Sequence, residues 1–456
     1  PGAATRLLAF LGPSVLAGDR AYGVKKDFAV FPGLEYLEGD EASSSTRDLA
    51  YPLNDRRVPA IHKIATPLMA VQGQGSLMAL MWDPNQEWAA GETRPAARFL
   101  APAADPGFTH IRMTLFAPSV GAYVRENTFY ANVKPFEVPA GGSVKLSALL
   151  VLDHASRYSG DGIVNGPHKG GLVLQAMRHY FDVFGLSKPA ELPRSWDDER
   201  ALCRSAYHHA VWSEDPPGWA HCHGWDPVLA VSHAVPLLLD IEAGAPDDAK
   251  AESLRRIRAV WDRALHEQGP QAFWSNAGCH ILLGETPFYA GYTAESLAAM
   301  REHARGLLTQ RENGLWVWHP RDERTATLGQ DGDHTLSQAA QPLYFILRTA
   351  RLTGDRELMQ QGLEAMKQME QYEVPRGAQT WECPLYQPDI LAAAQAIRAY
   401  TEAYRLTGNP AHLDDARYWA WTGLPFLYTW EMEGYPTMRY NVISVIGSTF
   451  YTHSWI

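Results

Sequence analysis

The chain has 456 residues, 46% hydrophobic and 20% charged, enough for two sizeable cores, with a formal net charge of −11. That acidic balance argues against nucleic acid and other polyanions, which demand clustered Lys and Arg. No stretch approaches membrane-spanning length, no signal peptide is recognised, and Cys203, Cys222, Cys279 and Cys383 lack the CxxC spacing of a zinc site, so no metal or cofactor is expected.

Residues 1–155 read as β-structure. Ile64 to Trp82 gives apolar strands broken at Gly73-Gln74-Gly75. Phe108 to Phe116 alternates, and Phe136 to Leu152 sets a Pro139-Ala140-Gly141-Gly142 turn between two β-rich runs. Period-two patterning with Gly and Pro punctuation predicts an antiparallel β-sandwich. From 156 to 194 the composition shifts to Gly, His and Pro around one amphipathic stretch, Leu172 to Phe184, read as a linker holding a short helix.

From about Ser195 the spacing predicts eight helices, over 195–213, 225–243, 247–267, 293–310, 334–353, 355–372, 389–407 and 410–422. Ser337 to Asp355 realigns on Leu391 to Asn409 after a shift of 54 positions, Ala339-Ala340-Gln341 on Ala393-Ala394-Gln395 and Arg351-Leu352-Thr353-Gly354 on Arg405-Leu406-Thr407-Gly408. Each copy ends in Gly followed by Asp or Asn, chemistry that closes one helix and caps the next. The repeat is therefore a helical hairpin that must stack on neighbours, as a solenoid or a closed ring. The long joints 214–224, 268–292, 311–333, 373–388 and 423–442 are aromatic and the others are short, and tight turns at one end with long loops at the other predict one decorated face. The chain begins at Pro1 and stops at Ser454-Trp455-Ile456, so a piece of something longer is expected.

A sandwich followed by helical hairpins with aromatic, acidic loops resembles the six-hairpin glycosidase superfamily, the (α/α) toroids that include glucoamylases and disaccharide phosphorylases. The resemblance covers the architecture of nearly the whole chain. It implies an α+β protein, an N-terminal β-sandwich followed by an (α/α)6-type toroid at 195–456, and an oligo- or polysaccharide substrate. A periplasmic or secreted setting is the matching expectation. It implies no oligomeric state.

Sugar chemistry needs two carboxyl groups and flat aromatic walls. Glu382, between Trp381 and Cys383-Pro384, sits in an apolar setting suited to a general acid, with Arg376, Tyr386, Gln387 and Asp389 in the same loop. Asp389, between Pro388 and Ile390, reads as a helix N-cap. In His221-Cys222-His223-Gly224-Trp225-Asp226-Pro227, Asp226 reads as a helix cap or as the second carboxylate, with His223 and Trp225 as subsite walls. Asp331 and Asp333, downstream of Trp316, Trp318 and His319, are the other candidates; Asp333 can also cap the next helix. Trp318, then Trp274, Asn276, His280, Glu285, Tyr289 and Tyr292 in one joint and Tyr428, Trp430, Glu431, Glu433, Tyr435 and Arg439 in another, fill out the cleft, or such aromatics plug the ring's axis. The segment Phe31 to Ser45 could lie across the rim.

Three readings follow: a glycoside hydrolase using Glu382 with an aspartate; a polysaccharide lyase or uronate epimerase drawing on Arg321, Arg324, Arg376, His334, Tyr386 and Arg439; and a non-catalytic glycan-binding protein. The hydrolase leads.

Overall fold

The computed structural model describes residues 3–7, 10–17, 26–43, 59, 61–102, 110–118, 136–185, 194–220, 224–275, 286–381, 383–431, 441–443 and 445–446. The protein is α+β, with N-terminal antiparallel sheets followed by a helical region. It forms two compact units: residues 1–187, 310–347 and 359–456 make the first, and 188–309 with 348–358 the second. This division follows packing, whereas the expected boundaries at 155 and 194 follow changes in composition.

In the first unit, a five-stranded antiparallel sheet runs Leu149–His154, Ser76–Met81, Leu68–Gly73, Phe28–Phe31, Glu35–Glu38. A three-stranded sheet runs Phe10–Ala17, Ile111–Ala117, Ala96–Leu100. The break at Gly73-Gln74-Gly75 is a two-residue hairpin turn, with φ 51° at Gln74 and 72° at Gly75, the positive values that match the strands' twist. Residues of both sheets, among them Phe31, Leu80, Phe99 and Met113, share one hydrophobic cluster with Trp82. The Gly171–Phe184 helix lies where Leu172 to Phe184 predicts one, and it packs on the larger sheet. Its start is fixed by buried Gln72, which accepts from Val173 N at 2.7 Å and donates to Lys169 O at 2.8 Å.

Both copies of the repeat form helices, Leu336–Thr353 and Ile390–Thr407. Gly408 ends the second in the left-handed region, φ 67°, and its N–H donates to Tyr404 O at 2.7 Å. Asn409 then accepts from Ala411 N at 3.2 Å to start Ala411–Thr422, and that helix packs back on its predecessor as a hairpin. The two copies are neighbours: Ser337 Oγ donates to Gln395 Oε1, and the Arg398 guanidinium lies 3.9 Å over the Tyr344 ring. The expected 355–372 helix is Arg356–Ala365 followed by a tighter 3-10 turn, Met366–Gln371.

The second unit holds Trp196–Ser205, Ala234–Glu242, Asp247–Gln268, Ala272–Ser275, Thr286–Ala290 and Thr293–Thr309. Ser195 caps the first of these by accepting from Asp198 N at 3.1 Å. The expected 225–243 helix requires correction. Pro227–Val228 is a strand paired with Pro217–Ala220, and the α-helix starts only at Ala234 after a 3-10 turn. Proline can open a helix or sit at a strand end with equal ease, and pairing across from Trp219 decides between them here. The joint 214–224 is accordingly in part a β-hairpin, Trp212–Glu214 with Pro217–Ala220. Fully buried Trp219 centres the unit's core with Ile257, Val260 and Phe273.

Gly377 shows where backbone and side chain meet most tightly. Its φ is 84°, and a Cβ there would lie 1.9 Å from Thr335 Oγ1. Gly377→Ala should therefore cost on the order of 2–4 kcal/mol, combining a disfavoured backbone with overpacking. Gly306→Ala, inside a helix with open space at the Cβ position, should instead be neutral or stabilising by up to about 1 kcal/mol. Urea titration of the pair checks this; equal midpoints would contradict the reading of Gly377.

Candidate functional site

The joints 311–333 and 373–388 belong to one unit and are fastened to each other. Leu385 N donates to Leu328 O at 2.7 Å, and Gly329 packs so closely on Leu385 that an added Cβ would sit 3.0 Å from it. The first joint is held from beneath by buried Gln368, which accepts from Trp316 N at 2.9 Å and donates to Trp316 O at 3.0 Å, as a strand partner would. Trp318 N donates to Asp333 O at 2.7 Å, and Gly332 N to Trp318 O at 3.0 Å. The second joint ends at Asp389, whose carboxylate accepts from Ala392 N at 2.8 Å and Ala378 N at 2.9 Å. Asp389 is the expected N-cap, and it ties loop to helix as well.

Between the joints lies an open depression of about 530 Å³ lined by Thr327, Leu328, Gly329, Gln330, Asp333 and Tyr386. Tyr386 and Asp333 line it together; burial first, then the neighbouring Asp333 carboxylate, raises the pKa of the Tyr386 phenol. Asp333 does not spend its carboxylate on the following helix as a cap would, since Oδ2 accepts from Gln330 N at 2.9 Å within the loop. Asp331 turns elsewhere, accepting from His319 Nδ1 at 2.7 Å, while Glu312 meets His319 Nε2 at 2.6 Å. Tyr386 and Trp381 are 48% and 40% exposed, so flat apolar faces meet solvent beside this depression's loops.

Other expected site residues fall differently. Arg376 is buried and committed: Nη1 and Nη2 grip the Glu41 carboxylate at 2.7 Å each, and Nη1 also donates to Tyr386 O at 2.8 Å. It is a structural clamp rather than an open contact for a sugar. Trp318, expected as a wall, is only 6% exposed, because the Asp333 turn folds over it. Tyr292 is stacked on Phe273 at 5.3 Å and 5° against the second unit's core. Tyr428 and Trp430 are buried and donate to His62 O and Ile64 O, each at 2.7 Å. These aromatics fill interiors.

Gln387 donates to Ile446 O, and Glu431 is half-buried. Asp226 and Trp225, the latter 59% exposed, belong to the second unit, and Asp226 precedes a strand rather than capping a helix. Glu382, His223 and Arg439 lie outside the described residues, as do Asn276, His280, Glu285, Glu433 and Tyr435; Trp274 lies in a helix whose side chain there is likewise outside the description. Among the described residues, no group of three or more His, Cys, Asp or Glu could hold a metal ion, and no helix is long and apolar enough to cross a membrane. Sequence reasoning overlooked Glu41 and Glu312. Glu41 falls in the 31–45 segment singled out for the rim, and only its charge could have marked it.

The sequence matches no family model and none of the curated proteins. The joint pair 311–333 and 373–388, with its single described pocket-lining carboxylate, therefore carries the functional reading.

Two titrations probe these loops. His319 is raised above the ordinary histidine range by its bonds to Asp331 and then Glu312. Its protonated form is favoured by folding, so the small stabilisation it gives is present at low pH and is lost as pH rises through its folded pKa. Asp331→Asn should move the His319 midpoint down towards about 6.5, read from histidine ring signals by NMR; an unmoved midpoint would show that the contact is not formed in solution.

Asp389 is pushed up to about 6, chiefly because burial penalises its charge, against the N–H donors that oppose the shift. A carboxyl raised above its unfolded value near 3.9 favours folding most at low pH, and that contribution falls as pH climbs to about 6. Asp389→Asn carries no such proton. Its stability relative to the parent should improve between pH 4 and pH 6 and then stay level, and a pH-independent difference would contradict this assignment.

Proposed function

We propose that this protein is a carbohydrate-active enzyme, a glycoside hydrolase, built as a β-sandwich followed by an (α/α) toroid. One observation carries the reading: the joints 311–333 and 373–388 meet around an open depression lined by Asp333 and Tyr386, with Trp381 exposed in the same joint as Tyr386. A carboxylate beside aromatic faces suits a pyranose, whose hydroxyls take hydrogen bonds and whose C–H face stacks on rings. Gln330 and Thr327 add polar contacts along the same wall.

In this reading Asp333 is the second carboxylate, activating water or attacking carbon, while Glu382 protonates the leaving oxygen. Asp333 is preferred to Asp331, which is engaged by His319, and to Asp226, which lies in the other unit. The substrate is an oligo- or polysaccharide. The glycan-binding alternative keeps the aromatic faces and drops the chemistry.

The lyase or epimerase reading draws support from one pair, His334 Nδ1 and Tyr372 hydroxyl at 2.9 Å. Two features weigh against it. Burial pushes Tyr372 up to about 12, which makes it a reluctant base, and the Arg376 guanidinium that a sugar carboxylate would need is held by Glu41.

The test is a panel of aryl glycosides and uronic-acid polymers, reading reducing ends and the absorbance of unsaturated products. Glu382→Gln and Asp333→Asn should each lower turnover of natural-type substrates by about two to four powers of ten with the fold intact. On substrates with activated leaving groups, Glu382→Gln should lose far less. Unsaturated products, or unchanged hydrolysis in both variants, would overturn the hydrolase assignment.

A further inference from the structure

The loop that carries Tyr386 is secured by a residue 335 positions away in sequence, contributed by the β-region. Glu41 follows the Glu35–Glu38 strand, and its carboxylate is fixed on two sides: Glu38 N donates to Oε2 at 2.8 Å, and the Arg376 fork closes on both oxygens. Lys26 Nζ fastens the same turn from behind by donating to Gly39 O at 2.7 Å and Glu41 O at 2.5 Å. Arg376 extends the chain of contacts. Its Nη1 donates to Tyr386 O, and its own carbonyl accepts from Ser337 N at 3.2 Å, at the start of the Leu336–Thr353 helix that follows the Asp333 loop.

We propose that Glu41 is a positioning residue for the candidate site, holding Arg376 so that Arg376 in turn sets the Tyr386 backbone and keeps the Tyr386 ring in the wall of the depression that it shares with Asp333. The inference rests on the reading of that depression as the sugar site. Among the described residues, Glu41 makes no hydrogen bond or ion pair to the depression's lining, Asp333 included, so its effect passes through Arg376. A bidentate carboxylate and guanidinium pair fixes direction as well as distance, which a single charge contact would not. The Glu41 side chain is 40% exposed, so replacing it leaves its own oxygens access to water, while Arg376 loses the charged half of its fork. The geometry therefore predicts a displaced loop rather than a collapsed core.

The experiment uses the full chain grown with 3-fluorotyrosine and observed by fluorine NMR, the Tyr386 signal being the one absent from Tyr386→Phe. In the parent, this signal should titrate above free fluorotyrosine because of burial and then the Asp333 charge. In Glu41→Gln, its shift and midpoint should move towards those of free fluorotyrosine, with the chain still folded by circular dichroism although its thermal midpoint falls, because a buried guanidinium has lost its counter-charge. Arg376→Lys, which keeps the charge and loses the fork, should do the same. On whichever aryl glycoside the parent cleaves, kcat/KM should fall by roughly 10–100-fold through misplacement, most of it in kcat. A Tyr386 signal unmoved in Glu41→Gln overturns the proposal, whether or not Arg376→Lys folds. A parent that cleaves no glycoside overturns the functional reading instead, and leaves the fluorine result to decide the positioning role.

Discussion

A backbone amide that leaves regular structure and enters the interior must find a partner, and in the first unit buried side chains such as Gln72, Gln368, Asp389 and Glu373 supply one. Gln72 receives Val173 N at the start of the helix laid on the sheet. Gln368 brackets Trp316 by accepting at its amide and donating to its carbonyl. Asp389 takes Ala378 and Ala392. Glu373 takes Lys169 N at 2.9 Å and Gly170 N at 3.3 Å, and the Tyr418 hydroxyl at 3.1 Å as well. Leaving one such donor bare would cost about 1–3 kcal/mol. The interior carboxyls bear a consequence: burial raises the pKa of both Glu373 and Asp389.

Where local chemistry decides, the sequence was readable. Gly354 and Gly408, each followed by a capping residue, mark helix ends that the structure reproduces, with Asp355 accepting from Glu357 N and Leu358 N at 3.1 Å each. The Gln74-Gly75 turn and the Asp389 cap were legible for the same reason, since each depends on residues within four positions. Pro227 was misread because its neighbours suit two outcomes, and the deciding partner, Trp219, sits in another strand. The Glu41 and Arg376 pair was invisible in principle. Nothing in either residue's neighbourhood declares a partner hundreds of positions away.

Candidate site residues divide along the same line. Residue type identified aromatic, acidic joints, but it could not say which rings face outward. Trp318, Tyr428 and Trp430 have the composition of subsite walls and the burial of core residues, while Trp381 and Tyr386 keep open faces. An indole in a long loop can serve either end because its ring is apolar and its N–H needs only one acceptor, which Ile64 O supplies to Trp430. Only the path of the neighbouring backbone settles the matter.

Asp355 performs three duties with one carboxylate. Besides capping Arg356–Ala365, its Oδ2 accepts from Arg301 at 3.1 Å and from Arg305 at 2.9 Å, both on the Thr293–Thr309 helix. The Thr353-Gly354-Asp355 joint thus has no spare residue. An insertion or deletion of a single amino acid there would swing the carboxylate away from both guanidiniums while also uncapping the helix. Among relatives of this chain, changes in length should therefore accumulate in the aromatic joints, and this corner should keep its three-residue spacing as a fixed hinge pin of the scaffold.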